Sequence, residues 1–129
     1  MTGFTPDEGE TLVQNILLNN ADVDRGTDLE LMLFTNSAPG ETITEATLTE
    51  PTGTGYARIN LTDANWTAGG YAKQTFNVGS GGWTGSVYGY AVVTKGTTPR
   101  IVTIEVDAVG PFTFIENDIY EVTPQIDVA

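Results

Sequence analysis

The sequence predicts an all-β fold: an antiparallel β-sandwich with one short N-terminal helix. Three observations carry that prediction. Apolar and polar residues alternate over short runs through most of the chain, turn-forming clusters separate the runs, and a single stretch near the N-terminus has helical period. A jelly roll is one topology compatible with this pattern. The 129 residues fit a single domain spanning 1–129. Folding a chain of this size hides about two-thirds of its extended surface, enough for an independent core.

The helix is expected at about residues 6–18. Thr5 reads as N-cap, Pro6 as the first helical residue and Glu8 as the acidic partner of a capping box. Asp7, Glu8 and Glu10 suit the positive end of the helix dipole. Leu12, Val13, Ile16 and Leu17 form one stripe, and Asn19-Asn20 can end the element. That stripe is expected to cover a sheet, with docking onto a partner as the sharper alternative.

After residue 28 the period shortens. Leu29–Thr35 is nearly all apolar and reads as a buried strand, followed by a weaker run at Ile43–Leu48. In Tyr56–Leu61, Ala57, Ile59 and Leu61 fall opposite Tyr56, Arg58 and Asn60. Tyr71–Val78 places Ala72, Phe76 and Val78 together, and Val87–Thr94 is β-branched and aromatic. Ile101–Val106 sets Val102, Ile104 and Val106 against Ile101, Thr103 and Glu105. Phe112–Ile115 and Ile119–Ile126 complete the set. Glu116-Asn117-Asp118 reads as the connection between them, and Pro124 marks an edge or an interruption.

Composition removes several chemistries. There is neither cysteine nor histidine, so thiolate nucleophiles, disulfides, Cys or His metal sites and a Ser-His-Asp triad cannot be built. Seventeen acidic residues against five basic ones give a net charge of −12. Such a surface repels phosphate backbones and anionic lipid, so neither nucleic acid nor membrane is an expected partner. The basic residues sit mainly in the middle of the chain, which could orient the protein on a partner; the simpler reading is a solvated surface that keeps it soluble. No apolar run approaches the roughly 20 residues of a membrane span, and no signal peptide is expected at the polar N-terminus.

A resemblance adds to this reading. The motifs that carry it are Asn15-Ile16-Leu17-Leu18-Asn19, Leu31-Met32-Leu33-Phe34-Thr35-Asn36, Ala46-Thr47-Leu48-Thr49-Glu50-Pro51, Gly55-Tyr56-Ala57, Val87-Tyr88-Gly89-Tyr90-Ala91-Val92 and Pro111-Phe112-Thr113-Phe114. In this order the chain resembles small β-sandwich structural proteins of tailed-bacteriophage virions, those described as capsid decoration, cement or fibre-related. Before the last strands the pattern departs, with Arg100-Ile101-Val102-Thr103-Ile104-Glu105 in place of a more apolar aromatic strand. The resemblance implies a non-enzymatic protein without catalytic residues, cofactor or metal. Its implied location is the capsid surface of a virion, after synthesis in the host cytoplasm. Its implied partner is the major capsid protein, bridged by a small homo-oligomer. A tail fibre, tip or baseplate component that contacts the host is the alternative.

Several groups could carry more specific roles. Asp22, Asp24 and Asp28 around Gly26 superficially suit calcium, but no glutamate stands at the twelfth position, so a polar loop is the better reading. Trp66, Tyr71, Trp83, Tyr88 and Tyr90 could form a sugar-binding platform, with Asp63 and Asn65 adding hydrogen bonds; aromatics at β spacing are more often packed inside. Tyr88 and Tyr90 are expected on one face. The acids Asp63, Glu105, Asp107, Glu116 and Asp118 show no spacing that sets two across a cleft. Gly79, Gly81, Gly82 and Gly85 around Trp83 could admit a neighbour's chain, against the simpler reading of a loop anchored by the tryptophan. Contact with a partner is expected at Phe4, at Gly81, Gly82 and Trp83, and at the C-terminal Ile126 and Val128.

Overall fold

The computed structural model describes residues 2–18, 26–68 and 70–126. Among the described residues, nine strands and one α-helix follow in order: β1 (2–4), α1 (7–17), β2 (29–34), β3 (52–53), β4 (59–61), β5 (74–77), β6 (83–84), β7 (89–94), β8 (101–106) and β9 (119–122). Single 3-10 turns occupy 45–47 and 63–65. The fold is a mostly antiparallel β-sandwich with one N-terminal helix.

The central layer is a five-stranded sheet in the order β1-β8-β7-β2-β4. Its middle strand pairs are the longest, with Leu29 to Phe34 opposite Thr94 to Gly89. Alternation along β2 sends Leu31 and Leu33 to one face and Met32 and Phe34 to the other, all fully buried. This is why Leu29–Phe34 reads as a nearly continuous apolar run: both faces are covered over Leu31 to Phe34.

The first face packs against two ladders, β3–β6 and β5–β9, which form the second layer of the sandwich. Phe76, Trp83, Phe114, Tyr120 and Val122 meet Leu31, Leu33, Tyr90 and Val92 between the layers. Trp83 stands edge-on to Tyr56, Phe76 and Phe114, with centroids 5.4, 6.3 and 5.2 Å apart. Such pairs add about 0.5–1.5 kcal/mol beyond the area they bury. The second face carries Met32, Phe34, Ala91, Val93, Ile101 and Ile104, covered by Ile43 and Leu48. Helix α1 lies against β8. A β-carbon at Gly9 would stand 2.7 Å from the carbonyl oxygens of Ile101 and Val102, so only glycine permits this approach.

Several expectations are corrected. The helix begins at Asp7 with Pro6 as N-cap, and no side chain caps it. The N-cap position expected for Thr5 is taken by Pro6. Glu8 instead uses one carboxylate oxygen to accept the backbone N–H groups of Ile101 (3.2 Å) and Glu45 (3.0 Å), tying the helix to β8 and to the 45–47 turn. Leu12 is buried, but Leu17 is 74% exposed and leaves the packed stripe. In place of a strand at Ile43–Leu48 there is a 3-10 turn at Glu45–Thr47, closed by a Thr44–Thr47 capping box. In the 56–61 run only Ile59–Leu61 is strand, and Tyr56 packs inward. The connection at 116–118 is a tight turn with Asn117 at φ 72.

A register shift between Val92 and Val93 explains one further difference. It interrupts alternation in β8, so Ile101 shares a face with Ile104 while Val102 packs on the opposite side. Tyr88, before β7, packs with the second-face cluster, whereas Tyr90 lies in the aromatic core; they do not share a face. Asn19-Asn20, Asp22, Asp24, Arg25, Gly69 and Val128 lie outside the described residues.

Candidate functional site

The aromatic residues considered for a sugar-binding platform are dispersed by the fold. Trp83 is 7% exposed, and its Nε1–H donates to the Thr54 carbonyl at 2.9 Å. It is a core residue, which corrects its expected place at an interface: the indole packs against Tyr56, Phe76 and Phe114. Tyr90 is buried, and its hydroxyl accepts the Gln125 N–H at 3.2 Å, fastening the chain after β9. Trp66 and Tyr71 form a half-buried edge-on pair at 5.2 Å that packs against the core. Hydrogen bonds from Asn65 and from the Thr62 N–H hold the Tyr71 hydroxyl below the usual tyrosine range.

The glycine-rich loop behaves as the tryptophan's anchor and also backs a surface feature. A β-carbon at Gly82 (φ 71) would stand 2.7 Å from the Phe114 carbonyl oxygen and 3.1 Å from the Ile115 Cα. Gly81 (φ 84) faces open space, and its N–H donates to Glu116 Oε1 at 3.2 Å. Loop 79–82 is therefore seated on turn 115–118. That turn is closed by the Asp118 N–H on the Ile115 carbonyl (3.1 Å) and by Asp118 Oδ2 accepting the Ile115 N–H (2.9 Å).

Two large apolar side chains stand out from this turn. Ile115 is 71% exposed and Ile119, the first residue of β9, is 61% exposed. Inward Tyr120 and Val122 fix the parity of β9, so Ile119 and Glu121 must face out. Glu116, Asp118 and Glu121 stand next to the isoleucines along the chain, and Lys73 meets Glu121 at 3.1 Å. Loop 79–82, turn 115–118 and β9 together make an apolar spot within an acidic rim, and this is the candidate surface. Sequence reasoning placed Gly81 and Gly82 here but missed Ile115 and Ile119. The period-two pattern of Ile119-Tyr120-Glu121-Val122 was the available signal.

The other expected contact residues lie elsewhere. Phe4 is half-buried against the second-face cluster, and its carbonyl accepts the Thr103 hydroxyl at 3.2 Å. Ile126 is 40% exposed. Leu17, Leu18 and Val109 are also exposed, the first two at the end of α1.

The charged cluster at Arg58 is structural. Its Nη2 donates to Glu45 at 2.7 Å and to Glu50 at 2.9 Å, and Glu30 lies 3.7 Å from Nη1. Burial works against the guanidinium charge, but the bonds from Glu50 and Glu45 outweigh it and raise Arg58 above its ordinary range. Tyr56 donates its hydroxyl to Glu50 and accepts the Leu33 N–H at 3.1 Å. Burial, reinforced by Glu50, pushes that hydroxyl well above the usual tyrosine range. The cluster thus closes the edge of β2 where β4 stops.

Two shallow grooves flank loop 36–44. One, of about 480 Å³, is lined by Asn36, Pro39, Ile43 and Thr47; the other, of about 330 Å³, lies between α1 and Thr42–Thr44. Asn36 and Glu8 already bond backbone groups there, which leaves their polar atoms committed to the fold. Among the described residues no group of three acidic, histidine or cysteine side chains could hold a metal, and no helix is long and apolar enough to cross a membrane.

No family model matches this chain, and neither curated proteins nor solved structures give a match.

Proposed function

We propose that this chain is a non-enzymatic structural component of a tailed-bacteriophage virion, a decoration or cement protein that binds the major capsid protein on the shell surface. The observation that carries the reading is the pair of exposed isoleucines, Ile115 and Ile119, at one turn of an acidic body. Isolated exposed apolar residues are ordinary. Two on either side of a hydrogen-bonded turn, backed by a loop whose glycines allow close packing, are suited to adhesion. The motif order given above supports the same reading.

Cementing requires neither a cleft nor a titrating pair. It requires a body that keeps its shape and a surface that loses water on contact. Each apolar side chain buried between subunits contributes about 1.5–3 kcal/mol. Many equivalent sites on a shell make a modest affinity per site sufficient, and a small homo-oligomer would multiply it. Net charge of −12 would hold free copies apart before assembly.

The test is co-sedimentation with purified heads, beside size-exclusion chromatography with light scattering. Saturable pelleting with heads, weakened by Ile115→Ser together with Ile119→Ser, is expected. Binding to tails or to host glycans without binding to heads would instead favour a tail-tip or fibre component.

A further inference from the structure

The second layer ends in a strand with an open edge. β9 pairs with β5 on one side and has no second strand neighbour among the described residues. The ladder bond from the Val78 N–H to the Asp118 carbonyl (2.9 Å) fixes its parity. Tyr120 and Val122 turn their backbone groups towards Phe76 and Gln74, so those of Ile119 and Glu121 point away from β5. An edge that presents N–H and C=O groups in a row is a template for another strand.

We propose that this edge accepts an extended, lysine- or arginine-bearing polypeptide segment as an added antiparallel strand. Assigning that segment to a shell subunit rests on the reading above; the strand addition itself does not. Charge selects the occupant. Glu116, Asp118 and Glu121 against Lys73 leave the edge net negative. A second copy of β9 would bring two net-negative edges together, and like charges across a strand pair destabilise it. A basic segment meets opposite charge, and its apolar residues on the same face lie beside Ile119. Backbone bonds then give affinity, while the isoleucine and the acids give selectivity.

The experiment uses the isotope-labelled full chain and three short probes: a peptide alternating lysine and valine, one alternating glutamate and valine, and the lysine peptide with backbone N-methylation. Saturating lysine–valine peptide is expected to slow amide exchange at Ile119 and Glu121 by about tenfold. The glutamate and N-methylated peptides leave these amides unchanged. Glu121→Lys, which breaks only an exposed ion pair and keeps the fold, shifts preference towards the glutamate peptide. Unchanged exchange with the lysine peptide, or equal binding of its N-methylated form, overturns the proposal. Head co-sedimentation without peptide binding would overturn the strand addition alone. Peptide binding without head co-sedimentation would uphold the strand addition and overturn the capsid assignment.

Discussion

Replacing Tyr56 by phenylalanine removes a hydroxyl that accepts the Leu33 N–H and donates to Glu50. β4 covers β2 only as far as Leu31, opposite Ile59. The next N–H on that side belongs to Leu33, a fully buried residue, and the Tyr56 hydroxyl accepts it at 3.1 Å. Phenylalanine keeps the ring stacked 6.0 Å from Phe76 and edge-on to Trp83. Glu50 loses a donor but retains Arg58. The larger effect is one buried N–H left without an acceptor, at a cost of about 1–3 kcal/mol, with the lost bond to Glu50 adding to it. At about 2 kcal/mol, a domain of this length loses roughly 7 °C in Tm. Thermal unfolding followed by circular dichroism measures the shift, and amide exchange at Leu33 reads its cause. A Tm within about 1 °C of the parent, with unchanged exchange at Leu33, would refute the role assigned to the hydroxyl.

Other outcomes follow from the same structure. Gly81→Ala places an L-residue at φ 84 in open space and is expected to cost about 1–2 kcal/mol, whereas Gly82→Ala adds a clash with the Phe114 carbonyl and costs more; urea midpoints rank the two. Trp83→Phe removes the bond to Thr54 and part of the core packing, and is expected to lower stability by about 2–3 kcal/mol in urea unfolding without altering any glycan profile. The Asp28 carboxyl is held below its ordinary 3.8, first by the Asn60 amide and then by the Asp63 N–H. A depressed folded value adds stability above the unfolded one, and that stability is lost as pH falls through the folded value. Urea midpoints taken downward from about pH 5 should fall less steeply for Asp28→Asn, and parallel curves would contradict this.

Much of the architecture was legible because burial writes itself into side-chain period. Leu29–Phe34 is apolar but for Glu30 and lies inside the sheet, with Leu31 to Phe34 buried on both faces; Phe76 and Val78 share a face as their spacing required. What was not legible depended on contacts distant in sequence. Glu8 looked like a capping residue because Thr5 stands three positions earlier, yet its carboxylate serves Ile101, 93 residues away. The register shift at Val92–Val93 leaves no mark in composition, yet it reverses the faces around Ile101 and changes which residues line the core. The candidate surface was half legible. Glycines announced close backbone approach but not its direction, so Trp83 stood both as an anchor of the loop and as a contact residue; the loop turns it inward. Ile119 followed from strand parity, whereas Ile115 depends on a turn held by the Asp118 side chain.

Cryo-electron microscopy of the intact particle tests the structural-virion reading most directly. The reading predicts density for this nine-stranded sandwich on the outside of the shell, with Ile115, Ile119 and the edge of β9 turned towards a capsid subunit. Particles that lack the chain, or that carry it with this surface facing solvent, would contradict it.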